Sequence, residues 1–581
     1  MNIYELFADV VSEDGDRIAL IGGTGRNRRA LRFVDLQQRV GAIVGQLQEH
    51  GLSPGDRVLL AVPISIETYV LMLALLKAGM PIMVIDPAHS ARRVSRILCE
   101  WPPAAIIATP AILMLRVLMP ELRRISRHFC VDARTPGAVR LDTRRCHGET
   151  LPACARRSAD SALLSFTSGS TAEPKPVLRT HGFLRAQLDM LDGIAELRTG
   201  DIDYVTMPMF VLFNLARGVT SVIPACDLKQ PGKADPAIVC GQLESERVTR
   251  MIASPALLER LVSWGLRRRI TLPGLDRVST GGGPINPSLP RRLAALAPNA
   301  SLHMVYGSTE AEPIAAIEAR LISVSDRSRM RSGEGLLAGK PVTGCDLRIL
   351  ATHPEVPVGS LSAALFEKLA VGPGTIGEIV VAGSHVLSSY ADSSCNAATK
   401  IDVAGRTWHR TGDAGYLDGE GRLWLVGRLA AAISDRRGTV FPFQVEYAAM
   451  ATPGVRRAAL VQRDGRRTLV IEASGSILQD RYAALTTCVE RFAVDRIRPL
   501  RRIPTDRRHN AKIDYPALHR LLDGPSLGLR LAVIQRISDG FRWLRRLICT
   551  AGHAFGRHLV ASRLRHHHRS AETRSGRLAE D

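Results

Sequence analysis

Residues 163–177 read LLSFTSGSTAEPKPV: an apolar strand, then six small or hydroxylated residues, then Lys175. Small residues let backbone N–H groups converge on a phosphate, and hydroxyls with a lysine add further donors. The Walker spacing GxxxxGK[ST] is absent. Alone, the stretch is also a plain Ser/Thr-rich solvated turn. Its place after an apolar strand, and its use of one of only eight lysines, favour phosphate.

Outward from this loop, short β-rich runs alternate with helix-length segments through the first ~425 residues. RVLLAVPI (57–64), PIMVID (81–86), AAIIAT (104–109) and RMIAS (250–254) are the strand signals. Phe33 to Glu49 and Pro255 to Leu266 carry helical periodicity between them. The alternation predicts α/β layers with substantially parallel sheets. Composition shifts after Gly427–Arg428 and near Pro525 divide the chain into 1–428, a smaller α+β segment 429–522, and a basic, partly helical tail 523–581.

The 581 residues carry 77 Lys+Arg against 56 Asp+Glu, a net charge of +21, and 69 of the cations are arginine. Such a balance invites a polyanionic partner. Yet from Pro525 onward 11 Arg against four acids place +7 of it in the tail, and no nucleic-acid-binding fold signature accompanies it. An apolar helical face at Leu527, Leu531, Ile534, Ile537, Phe541, Leu544 and Ile548 makes the tail a candidate for peripheral membrane contact, or an ordinary appended helix. The ten cysteines include no Cys-x-x-Cys, and Tyr69 to Ile85 is too short and too broken to span a bilayer. The expectation is a cytoplasmic protein with no nucleic-acid partner, membrane-associated if the tail docks.

Four further motifs follow in order: TGGGPI at 280–285, YGSTE at 306–310, WHRTGDAGYLDGEGRLWLVGR at 408–428 and HNAKID at 509–514. With the 163–177 loop, whose usual form is T-S-G-T-T-G-x-P-K-G, they resemble the signature set of the adenylate-forming enzymes. That superfamily holds acyl-CoA synthetases, luciferases and nonribosomal adenylation domains. The resemblance covers about 85% of the chain and implies a large domain of layered sheets and helices with a small α+β domain on a hinge. It implies ATP and Mg²⁺ as cofactors. Thr167, Ser168, Gly169, Ser170, Thr171 and Lys175 would cradle the phosphates, while Gly281, Gly282 and Gly283 would pack against the adenine. Tyr306, in the Tyr306–Gly307 turn, would stack on that ring, Thr309 would bond the phosphate, and Glu310 would hold Mg²⁺, a hard cation that wants a carboxylate. Asp413 would accept from both ribose hydroxyls, Arg428 would contact ribose and phosphate, and Lys512 would swing in during adenylation. The catalytic set implied is Lys512, Lys175, Thr171 and Glu310. Ala172 and Pro176 replace two glycines of the usual loop.

The wording FTSGST, MPMFVLFNLARG (207–218), YGSTEAEPIA (306–315), TKI (399–401) and DRRHNAKID (506–514) resembles most the olefin β-lactone synthetases. That branch implies an acyl-AMP that closes on its own β-hydroxyl, and a fatty or β-hydroxy fatty acid substrate shared with other enzymes of a lipid or olefin pathway. Ala430, Arg436 and Arg437 stand where CoA ligases have a hinge residue and a glycine pair, which favours an internal nucleophile. Phe210, Phe213 and Leu215 fall at the acyl-binding wall, and His409 and His509 are candidate general bases. An acyl-CoA or acyl-carrier ligase and a degraded noncatalytic nucleotide-binding homologue are the alternative readings.

Overall fold

The computed structural model describes residues 1–146, 152–167, 175–227, 230–352, 359–473, 478–506 and 512–523. Met1–Ile513 form one compact unit; the helix Tyr515–Asp523 belongs to a second, Asp514–Asp581.

Two large sheets organise the first unit. In the smaller, Val139–Leu141, Arg127–Val131, Ala105–Ala108, Val58–Ala61, Ile82–Val84 and Ser161–Thr167 run parallel side by side. Lys175–Thr180 closes its edge antiparallel to Ser161–Thr167. The larger sheet holds a parallel run of Thr220–Val222, Ile202–Val205, Arg250–Ile252, Arg277–Gly281 and Ser301–Ser308. It then turns antiparallel through Ala311–Glu318, Leu336–Pro341, Leu423–Arg428, Arg406–Leu417, Gly377–Ala382 and Asp346–Leu350. Sheets are therefore substantially parallel only in the part that precedes Ser308.

Side-chain alternation assigns the layers. Val58 and Leu60 face a core shared with the helices Phe33–Glu49 and Ile66–Lys77, whereas Leu59 faces a second core under the helix Ala91–Glu100. The helix Ile66–Lys77 is apolar around nearly its whole circumference and every residue in it is buried, as expected for a helix sandwiched between sheets. Ser65 caps it by accepting from the Thr68 amide. Helix Phe33–Glu49 instead buries one stripe, Phe33, Leu36, Val40, Ile43, Val44 and Leu47. On the far side of the larger sheet, Tyr204, Met251, Val278 and Leu302 pack against the helices Pro236–Ser245, Pro255–Arg268 and Leu289–Leu296. Among the described residues no helix is long and apolar enough to cross a membrane.

From Val455 a separate sheet begins. Val455–Arg463 pairs antiparallel with Arg466–Ala473, which pairs parallel with Arg496–Leu500. Its own core joins Val445, Ala448, Leu460, Leu469, Ile471, Leu485 and Phe492. Arg467, 2% exposed, holds the entry to this small domain: its guanidinium donates to Asp435, Gly438 O (2.6 Å) and Phe492 O (2.7 Å).

Candidate active site

The loop 168–174, with Ser168, Gly169, Ser170 and Thr171, lies outside the described residues, as do His509 and the tail from 524. Its two ends are placed. Thr167 and Lys175 are opposite partners across the antiparallel pair that the loop joins. Thr167 Oγ1 is buried with no hydrogen-bond partner among the described residues, which leaves a polar atom at the loop's edge for a ligand. Arg179, on the strand leaving the loop, donates to Thr309 O (3.3 Å) and so ties the loop's hairpin to the YGSTE turn.

Strand order brings the next motifs together. Arg277–Gly281 and Ser301–Ser308 are parallel neighbours, so TGGG and YGSTE leave the sheet at the same end. A Cβ on Gly281 would sit 2.6 Å from Val305 O, and Gly282 has φ +76°; glycine is required at both for the backbone to lie flat there. Tyr306 donates from Oη to Asp413 Oδ2 (2.7 Å). Burial, and then the Asp413 charge, raise the Tyr306 hydroxyl well above its ordinary value, so it stays a neutral donor.

Asp413 and Arg428 are register partners across the hairpin Arg406–Leu417/Leu423–Arg428. Arg428 Nε pairs with Asp413 Oδ1 at 2.9 Å while its Nη1 donates to Thr411 O (3.0 Å). Both oxygens of Asp413 thus already face donors, and its side chain is 18% exposed against 52% for Arg428. Asp418, in the turn of the same hairpin, holds the turn itself together by accepting from the Glu420 and Arg422 amides, Arg422 Nε and Trp424 Nε1.

Glu310 stands at the centre of a cluster that motif reading only half exposes. Tyr390 Oη donates to Glu310 Oε1 at 2.7 Å. The ammonium groups of Lys175 and Lys400 lie 5.4 and 5.5 Å from the Tyr390 ring centroid, within cation–π reach. Lys400, 8% exposed, donates to Leu387 O and lies 3.3 Å from His409 Nδ1, which in turn is 3.2 Å from Thr399 O. Burial pulls Lys400 down to about 7, opposed by Glu310. Burial, with Lys400 beside it, holds His409 down to about 3. Burial opposes ionisation of Glu310, but the charge shared with His409 and the Tyr390 hydroxyl outweigh it and hold the carboxyl below its usual range. At neutral pH Glu310 is ionised, and the proton shared with His409 belongs to the pair rather than to either residue. With 3% exposure and Nδ1 engaged, His409 acts on its protein neighbours rather than as a base touching substrate.

Among the described residues no three His, Cys, Asp or Glu converge as a metal cage. The ionised Glu310 carboxylate is a hard oxygen donor of the kind that Mg²⁺ takes together with substrate phosphates.

The remaining candidates have these surroundings. Lys512 is exposed; its amide donates to Asp506 Oδ1 (2.9 Å), and the Asp506 amide donates back to Lys512 O (2.8 Å). Phe213 packs with Leu6, Leu188 and Leu191 between helices, Leu215 is enclosed in the core between the sheets, and only Phe210 is half-buried. Arg437 bridges Asp435 (2.8 Å) and Asp495 (2.7 Å), and Ala430 sits in the single turn Leu429–Ala431.

Comparison with known proteins bears on family and fold. A family model described as AMP-binding enzyme matches residues 7–391. An olefin beta-lactone synthetase from Xanthomonas campestris pv. campestris is 32% identical over 549 residues, covering 88% of this chain and 96% of that one. An olefin beta-lactone synthetase from Stenotrophomonas maltophilia is 32% identical over 542 residues, with the same coverage. Among solved structures, ATP-bound MatB from Rhodopseudomonas palustris superposes with a TM-score of 0.72 at 19% identity, covering 90% of this chain and 99% of that one; this is a likeness of fold.

Proposed function

Because the chain belongs to the AMP-binding enzyme family and is an adenylate-forming ligase, we propose that it converts a β-hydroxy fatty acid and ATP into a β-lactone, AMP and pyrophosphate. The observation that carries this reading is the similarity to olefin beta-lactone synthetases along almost their full length, well past the matched 7–391 region.

In the first step a carboxylate oxygen attacks the α-phosphorus and pyrophosphate leaves with the electron pair of the broken bond. Lys175 at the loop's edge, Thr171 within the loop and Lys512 from the small domain offset the charge that develops on the phosphate oxygens. Asp413 holds the ribose hydroxyls, joined by Arg428, while Tyr306 lies against the adenine over the Gly281–Gly283 turn. Mg²⁺ on Glu310 supplies Lewis-acid charge to the phosphates when bound. Tyr390 and Lys400 keep that carboxylate ionised and aimed.

In the second step the β-hydroxyl oxygen attacks the acyl carbon, AMP departs with the acyl–oxygen electron pair, and the hydroxyl proton passes to solvent. Closing a four-membered ring requires the hydroxyl to be held over the carbonyl, so positioning is the enzyme's main contribution.

The test is the purified protein with ATP, Mg²⁺ and a β-hydroxy fatty acid, with and without CoA. Lactone formed without CoA supports the proposal. Strictly CoA-dependent AMP release assigns the chain to acyl-CoA ligation instead, and no pyrophosphate release from β-hydroxy or plain fatty acids marks a noncatalytic homologue.

A further inference from the structure

Of the ten large apolar side chains exposed among the described residues, four fall within five consecutive positions. They are Met114, Leu115, Val117 and Leu118, at 54, 43, 69 and 79% exposure. This clustering is unlike the scattered single exposures that any folded surface carries.

The segment is held in place. Leu113 on one side and Leu122 and Ile125 on the other are buried in the core under the smaller sheet, together with Ile97 and Leu98. Pro120 starts the following helix, Pro120–Arg123, and the turn Leu115–Val117 cannot run on into it. Within that turn Arg116 donates to the carbonyls of Pro136 and Gly137, the latter at 3.1 Å, which fixes the one polar side chain inward. The four apolar side chains are therefore a rigid knob aimed at solvent.

Its surroundings are cationic. Arg123 and Arg124 follow it on the exposed surface, and the helix Ala91–Glu100, which packs against Pro120–Arg123, exposes Arg92 and Arg93. Residues 91–127 hold seven arginines against Glu100 and Glu121, a net charge of 7 − 2 = +5. An apolar centre with an arginine rim complements an anionic bilayer, where acyl chains take the knob and headgroup phosphates pair with guanidinium groups.

We propose that Met114–Leu118 with its flanking arginines is a docking surface for anionic lipid membranes. The surface lies in the first unit. It does not depend on which acid the enzyme activates, since vesicle binding is read without turnover.

The experiment is co-sedimentation of the full-length protein with phosphatidylcholine vesicles and with vesicles containing about a third phosphatidylglycerol, alongside the Val117→Ser/Leu118→Gln double variant. The tail is common to both proteins. The proposal expects binding to the anionic vesicles only, and a loss of about tenfold or more in the variant, with unchanged thermal melting and unchanged pyrophosphate release. Three results would overturn it: no binding by the wild type, equal binding by the variant, or equal partition onto neutral vesicles. Sedimentation velocity adds a fourth. A dimer that the variant splits would make the knob a contact between copies instead.

Discussion

Tyr390→Phe isolates the electrostatics of the Glu310 cluster. The substitution keeps the buried ring and its two ammonium neighbours at 5.4 and 5.5 Å, and removes only the hydroxyl that donates to Glu310 Oε1 at 2.7 Å. A hydrogen bond to a charged group contributes about 1.5–3 kcal/mol; with Glu310 half-buried the lower end applies, near 1.5 kcal/mol. That is roughly a tenfold change in an equilibrium constant. Urea unfolding of wild type and variant at pH 7 should differ by this amount. The pH dependence fixes the cause. Glu310 lies below its ordinary value in the folded protein, so its contribution is present above the unfolded carboxyl pKa and is lost as pH falls through the folded one. The difference between the two proteins should therefore shrink steadily below about pH 4.5. Indistinguishable stability at pH 7, or a difference that stays constant down to acid pH, would refute the claim that Tyr390 holds Glu310 ionised.

Three other substitutions separate nucleotide binding, catalysis and the architecture of the small domain. Asp413→Asn should raise the KM for ATP by ~10-fold or more while costing less than about 1 kcal/mol of stability, because its ion pair with Arg428 is half exposed; an unchanged KM would remove Asp413 from the ribose site. Lys512→Ala should slow pyrophosphate release by ~100-fold or more yet leave lactone formation from supplied acyl-AMP intact, and equal losses in both steps would contradict its role in adenylation. Arg467→Met strips the donor from Gly438 O and Phe492 O at roughly 1–3 kcal/mol each, so urea unfolding should register a loss on the order of 3 kcal/mol, and a neutral result would contradict its part in holding the small domain's entry.

Local pattern makes most of the layering legible. Phe33–Glu49 is helical over the span its periodicity marks, the strand signals around 58–61, 82–84 and 105–108 become parallel strands of the smaller sheet, and that at 250–252 becomes a parallel strand of the larger. The antiparallel half of the larger sheet is less visible, because strands such as Gly377–Ala382 pair with partners distant in sequence. At the site, Asp413 and Arg428 can be read together because one hairpin sets both in register. Lys400 and Tyr390 cannot be assigned their roles from pattern. Tyr390 reaches Glu310 across 80 residues of sequence, Lys400 joins the cluster through the Tyr390 ring and His409, and a lysine flanked by Thr399 and Ile401 looks like a surface charge. Phe213 and Leu215 show the opposite problem: an apolar run suits a binding wall as well as helix packing, and only tertiary contacts reveal that they sit among Leu188 and the inter-sheet core.

The central claim is an acyl-AMP closed by the substrate's own hydroxyl, and oxygen labelling follows it atom by atom. With both carboxylate oxygens of the β-hydroxy acid as ¹⁸O, attack on the α-phosphorus carries one label into AMP. The lactone then keeps the other in its carbonyl, and its ring oxygen comes unlabelled from the hydroxyl. Mass spectrometry of the CoA-free reaction should show singly labelled AMP and singly labelled lactone in equal amounts. Unlabelled AMP, or a lactone that retains both labels, would contradict the account.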